Sequence, residues 1–181
     1  VRVIAGNFRG TRLYTPSGNA IRPTSDRLRE SIFNIIGPRI RGTSILDLYA
    51  GTGALGIEAL SRGAKRAVFI DNDPRALALT QRNIAKVNAG DRATVMAWDI
   101  ARDLRCLRQQ GAWDIIFMDP PYRQRLIQRT LENLSTAQTE FKMVVAEHEA
   151  EEALADRPAG FFLEDQRTYG KTLVSFLSPM V

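Results

Sequence analysis

The 181-residue sequence has a single cysteine, Cys106, and a single histidine, His148. One cysteine excludes an internal disulfide and fits a reducing compartment. With only one histidine beside it, there are too few soft ligands for a zinc site, so no metal is expected. Nothing near Cys106 would stabilise a thiolate, and it reads as a packing residue. His148, between Glu147 and Glu149 at a strand end, reads as a surface residue. No apolar run is long enough to span a bilayer, and Val1-Arg2-Val3-Ile4-Ala5-Gly6 lacks the pattern of a signal peptide. Internal repeats and low-complexity tracts are also missing. What these absences leave is a cytoplasmic globular domain, expected to be monomeric, with no membrane and no metal partner.

What is abundant is arginine. Eight arginines (2, 9, 12, 22, 27, 29, 39 and 41) crowd the first 41 residues, opposed there only by Asp26 and Glu30, and the chain carries a net charge of +5. Such a front suits a polyanion, because phosphate contacts dominate nucleic-acid affinity. A merely solvated basic face accounts for the composition equally well.

The pattern reads as one domain over 1–181, with residues 1–23 a small N-terminal β-hairpin and loop appendage and 24–181 the core. Thr24-Ser25-Asp26 offers helix caps before an apolar stripe of Leu28, Ile32, Ile35 and Ile36, and Gly37-Pro38 ends that helix. From residue 43 strands and helices alternate. Strands are expected at Ser44–Tyr49, Ala67–Ile70, Ala93–Ala97, Trp113–Met118 and Lys142–Glu147. Helices are expected at Ala54–Ser61, from Pro74, at Ile100–Arg108 and at Gln124–Leu134. Phe161–Glu164 and Thr172–Leu177 read as a closing antiparallel hairpin. This is an α/β, Rossmann-like arrangement with a mainly parallel sheet, in which ligands bind beyond the carboxyl ends of the strands.

Two motifs fall at such ends. In Asp47-Leu48-Tyr49-Ala50-Gly51-Thr52-Gly53-Ala54-Leu55-Gly56, glycines at 51, 53 and 56 follow a strand and open a helix, allowing a tight turn and close approach of a ligand. Asp71, ending the next strand, can accept both hydroxyls of a ribose. S-adenosylmethionine (SAM) and a dinucleotide compete for this loop, and the leading Asp47 favours SAM, which has no pyrophosphate. Asp99 can accept from an adenine amino group or cap the helix at Ile100. Candidate cofactor contacts are Asp47, Ala50, Gly51, Gly53, Asp71, Asp99 and Thr24; Leu48, Tyr49 and Leu55 read as core or pocket wall.

The second motif is Asp119-Pro120-Pro121-Tyr122, after the fourth strand. Two prolines fix the backbone and remove two donors, which leaves acceptors at the cleft. The Asp119 carboxylate and Pro120 carbonyl can take the two hydrogens of a planar amine, and Tyr122 can stack on the ring that bears it. Methyl transfer then needs positioning more than acid–base power. A rigid turn with Tyr122 packed would explain the four residues alone, but not their place one unit after a nucleotide loop. Arg22 and Thr24 can border the pocket. Arg9, Arg12, Arg22, Arg27, Arg123 and Arg125 are candidate phosphate contacts, whereas Arg29 reads as part of a solvated helix face.

These residues resemble the bacterial 16S rRNA (guanine(966)-N2)-methyltransferase family over nearly the whole chain. The likeness is carried by Val3-Ile4-Ala5-Gly6 with Arg9-Gly10, by Arg22 to Glu30 with Phe33-Asn34, and by Leu46 through Ala64. The tetrapeptide and Tyr169-Gly170 complete it. The resemblance implies a cytoplasmic, SAM-dependent enzyme that methylates one guanine N2 of small-subunit rRNA, with the small subunit or an assembly intermediate as partner. It departs at Asp71, where that family usually has Glu. A DNA adenine-N6 methyltransferase would need a target-reading region for which there is no room. A protein glutamine-N5 methyltransferase typically has Asn at the position of Asp119. A non-catalytic RNA-binding assembly factor would not need both motifs intact.

Overall fold

Short apolar runs become buried parallel strands, and periodic segments between them become helices that cover both faces. In the computed structural model, which describes residues 1–16, 25–108, 110–121, 126–152, 154–155 and 158–180, the strands are β1 (Ser44–Leu48), β2 (Arg66–Asp71), β3 (Ala93–Ala97), β4 (Trp113–Met118), β5 (Phe141–Glu149), β6 (Phe161–Tyr169) and β7 (Thr172–Pro179). The α-helices are α1 (Asp26–Ile36), α2 (Ala54–Ser61), α3 (Pro74–Lys86) and α4 (Leu126–Ser135). The sheet order is β3-β2-β1-β4-β5-β7-β6. The first five strands pair in parallel, and β7 pairs antiparallel with both β5 and β6. Strand succession reverses between β1 and β4, the switch point where such sheets open a crevice for ligands.

Alternation along each strand divides the core in two. Ile45, Phe69, Phe117 and Val145 pack with α1 and α2, while Leu46, Leu48, Ile70, Ile116 and Met118 pack with α4. The caps form as the residue types require. Ser25 accepts from the Leu28 N–H, and Asp73 accepts from the Arg75 N–H ahead of Pro74. Gly37, at φ 58°, ends α1.

Residues 1–14 form less of a hairpin and more of a strap. One antiparallel bridge joins Arg2 to Arg12, and Val3 and Leu13 are buried. The strap is tied to α2 by Glu58, which is wholly buried and accepts from the Ile4 N–H (2.8 Å), the Ala5 N–H (3.1 Å) and Arg62 Nε (2.7 Å). Gly6 makes this approach possible, because a Cβ there would sit 1.9 Å from the Ser61 carbonyl oxygen.

Three expectations are corrected. Ile100–Arg108 is not an α-helix; it is a run of turns ending in a short 3-10 turn at Arg105–Leu107. Ile100, Leu104 and Leu107 are buried at helical spacing, which mimics a helix. However, the Asp99 and Asp103 carboxylates take the Ala101 and Arg105 N–H groups, and this local bonding competes with the helical ladder. Arg29 is not on a solvated face. It is fully buried, its guanidinium donating to the Arg2 carbonyl and to Asp26, and burial pushes its pKa down. His148 is buried rather than at the surface, bonded through Nε2 to Ser175 Oγ at 2.8 Å, and burial lowers its pKa. Both residues are held by partners distant in sequence, which residue type alone does not reveal. Cys106, by contrast, behaves as a packing residue: burial pushes its thiol up to about 11, away from thiolate chemistry.

Candidate active site at the carboxyl ends of the parallel strands

The chain leaves β1 through a sharp turn. Tyr49, Gly51 and Gly53 all have positive φ (60°, 58° and 75°), and Tyr49 holds this strained state with its hydroxyl bonded to Thr130 Oγ1 at 2.7 Å. The loop is fastened from three directions. The Ala50 N–H donates to the Ile70 carbonyl and the Gly53 N–H to the Ala50 carbonyl. The Gly51 N–H donates to Asp71 Oδ2 at 3.0 Å, which draws the end of β2 against the loop. From beneath, Thr80 Oγ1 donates to the Gly51 carbonyl and Asn83 Nδ2 to the Thr52 carbonyl.

Asp47 lies under this turn, not in the cleft. It is almost fully buried and accepts the Gly56 N–H at 2.9 Å, and burial pushes its pKa up to about 8, with the negative charge of Asp71 adding to the shift. Gly56 has no room for a side chain, since a Cβ would meet the Phe69 ring at 2.3 Å. The remaining candidates sit along the rim. Asp71 is half-buried, and its other oxygen accepts the Asp73 N–H. Asp99 is exposed and caps the turn at Ala101, so its capping role is realised on a turn, not a helix.

Across the switch point, Leu48 of β1 is in register with Met118 of β4, which brings Asp119 to the rim beside the loop. Asp119 is half-buried and Pro120 buried, while Pro121 is exposed. Tyr122, Thr24, Arg22, Arg123 and Arg125 lie outside the described residues. Arg9, Arg12 and Arg27 are exposed on the strap and α1. Sequence reasoning did not single out Glu58, Thr80 or Asn83, all fully buried. The available signal was a polar residue on an otherwise apolar stripe. A cavity of about 350 Å³ near Phe33, Pro38 and Arg62 opens at the amino ends of the strands, away from this site.

The donor set discriminates between the two ligands. At a helix N-terminus a pyrophosphate would use free backbone N–H groups, but here the Gly56 N–H is given to Asp47 and the Gly51 N–H to Asp71. Asp71, Asp99 and Asp119 line the rim with negative charge, which repels phosphate and suits a cationic sulfonium. The residues present therefore fit SAM better than a dinucleotide.

Known proteins share this sequence pattern and fold. Residues 1–178 match the family described as Conserved hypothetical protein 95. The chain is 36% identical over 178 residues to a Bacillus subtilis protein provisionally named an rRNA methyltransferase, covering 97% of each. It is 34% identical over 174 residues to ribosomal RNA small subunit methyltransferase D of Escherichia coli, covering 94% of this chain and 86% of that one. A solved Escherichia coli structure, provisionally named a methyltransferase, superposes with a TM-score of 0.85 at 34% identity, covering 99% of this chain and 98% of the other. On sequence and fold alike, the chain belongs to the Conserved hypothetical protein 95 family, that of the small-subunit rRNA methyltransferases.

Proposed function

We propose that this chain transfers a methyl group from SAM to the exocyclic N2 amine of a guanine in 16S rRNA, acting in the cytoplasm as a monomer on the small ribosomal subunit or an assembly intermediate. The observation that carries this reading is the placing of Asp119-Pro120 directly across the switch point from the glycine loop. Pro120 and Pro121 have no N–H, so two backbone donors are removed and their carbonyls remain as acceptors. The Asp119 carboxylate and the Pro120 carbonyl take the two amine hydrogens and turn the nitrogen lone pair towards the cofactor side. SAM supplies an electrophilic methyl group when bound. Asp119 then takes the departing proton, and Tyr122 stacks on the base. Ala50, Gly51 and Gly53 form the cofactor wall, held from below by Asp47, and Thr24 borders the same pocket. Arg9, Arg12, Arg22, Arg27, Arg123 and Arg125 supply phosphate contacts. The name of the Escherichia coli relative supports the small-subunit rRNA target, and the sequence resemblance supports guanine N2.

The test is transfer of radiolabelled methyl from SAM to unmethylated small subunits, followed by nucleoside analysis. Label in N2-methylguanosine is expected. Label in N6-methyladenine, or in protein, would overturn the guanine assignment.

A further inference from the structure

The described surface holds two cations gathered against one exposed aromatic ring. Tyr14, 41% exposed, ends the strap, and its ring centroid lies 4.5 Å from Arg82 Cζ and 4.1 Å from Lys86 Nζ. Arg82 and Lys86 are one helical turn apart on α3, and both are exposed. Like charges at this spacing repel. Helix α3 has no acidic residue, and among the described residues no carboxylate forms an ion pair with either cation. The ring offers partial compensation through its π face, but the pair retains a concentrated positive charge open to solvent.

Its position gives that charge a use. Arg12 and Tyr14 are exposed on either side of the buried Leu13, so both face outward from an extended segment. Beneath Tyr14, Asn83 Nδ2 donates both to the Tyr14 carbonyl (3.0 Å) and to the Thr52 carbonyl of the glycine loop (2.8 Å). A single nitrogen therefore joins the backbone under the cations to the wall of the candidate cofactor pocket.

We propose that Tyr14, Arg82 and Lys86 form a phosphate clamp for the substrate RNA, with Arg12 extending it along the strap. This rests on the RNA-methyltransferase reading above. The ring gathers the two cations, and a backbone phosphate relieves their repulsion while fixing the RNA beside the cleft. Phosphate contacts of this kind position a nucleic acid without reading its sequence.

The experiment compares the full chain with the Arg82→Gln/Lys86→Gln double variant, using a 16S rRNA transcript as probe and varying the salt concentration. The double variant is expected to bind the transcript roughly tenfold or more weakly at low salt, with a log Kd against log salt slope shallower by about 1.4 to 1.8, the value for two lost phosphate contacts. SAM affinity should not change. Tyr14→Ala should shift RNA binding in the same direction, and Tyr14→Phe should not. An unchanged slope and RNA affinity in a folded double variant would leave these side chains as a strap-to-helix staple and overturn the clamp, even while the full chain methylates RNA. If the full chain neither binds the transcript nor methylates unmethylated small subunits, the functional reading fails and the clamp fails with it.

Discussion

Asn83 binds both backbone groups of Tyr14: its Oδ1 accepts the Tyr14 N–H at 2.7 Å and its Nδ2 donates to the Tyr14 carbonyl at 3.0 Å. The same Nδ2 also holds the Thr52 carbonyl, so the strap and the glycine loop share one buried amide. Asn83→Asp keeps the shape and the acceptor but turns a carboxylate oxygen towards two carbonyls. Leaving such buried groups unsatisfied costs about 1–3 kcal/mol each. The variant should be destabilised by that order in urea unfolding, and its SAM affinity should fall several-fold in calorimetric titration. Wild-type SAM affinity in a destabilised variant would show that Asn83 holds the strap without shaping the loop.

The strap predicts a contrast between two glycines with nearly equal backbone angles. Gly6 (φ 82°) faces the Ser61 carbonyl, where a Cβ would sit 1.9 Å away, whereas Gly10 (φ 84°) has nothing within 4 Å of a Cβ. Gly10→Ala should cost only the left-handed strain, about 1–2 kcal/mol. Gly6→Ala should cost clearly more, because backbone atoms must also shift and the Glu58 bonds to Ile4 and Ala5 lie next to it. Thermal unfolding of the two variants checks this, and equal losses would contradict the close packing of the strap on α2.

Much of the fold was readable because β1, β2 and β4 are short apolar runs bounded by turn residues. The glycine loop was readable because its glycines and acids stand at fixed intervals. Asn83, Thr80 and Glu58 were not, although each occupies a buried stripe: Ala76, Thr80, Asn83 and Ile84 line one side of α3, and every residue of α2 is buried. A polar side chain on such a stripe announces a partner but not which one, since the partner is chosen by tertiary contact. Arg29 and His148 were misread for the same reason. The segment after Asp99 was misread because its buried apolar residues repeat at helical spacing while its aspartates bond locally.

Asp47 gives the stability a pH dependence of defined sign. Its carboxyl is pushed up to about 8 by burial, against about 3.9 in an unfolded chain. A raised folded-state pKa favours the native state fully below the unfolded value, and that contribution is lost as pH rises towards 8. The native protein should therefore weaken between about pH 4 and pH 8 by an amount on the order of a few kcal/mol. Asp47→Asn retains an acceptor for the Gly56 N–H and does not titrate, so its stability should be flatter across that window. At pH 8 it should match or exceed the native protein. Urea midpoints measured from pH 5 to pH 8.5 decide the matter; parallel curves for the two proteins would mean that Asp47 does not carry the slope.

Asp119 provides the sharpest separation between binding and chemistry. It stands at the end of β4, across from the loop that leaves β1, and the register Leu48 to Met118 sets that separation through backbone pairing. The glycine loop, for its part, is fastened by Asp71, Ile70, Thr80 and Asn83, none of which involves Asp119. Removing the Asp119 carboxylate should therefore leave the cofactor wall intact while taking away one of the two acceptors proposed to orient the amine. Loss of one preorganised group of this kind typically lowers turnover by about a hundredfold or more. Asp119→Ala is expected to bind SAM within a few-fold of the native protein and to show almost no methyl transfer at saturating SAM and RNA. Turnover near the native rate would remove Asp119 from the proposed mechanism. A loss of SAM binding in step with activity would assign it to the cofactor pocket instead.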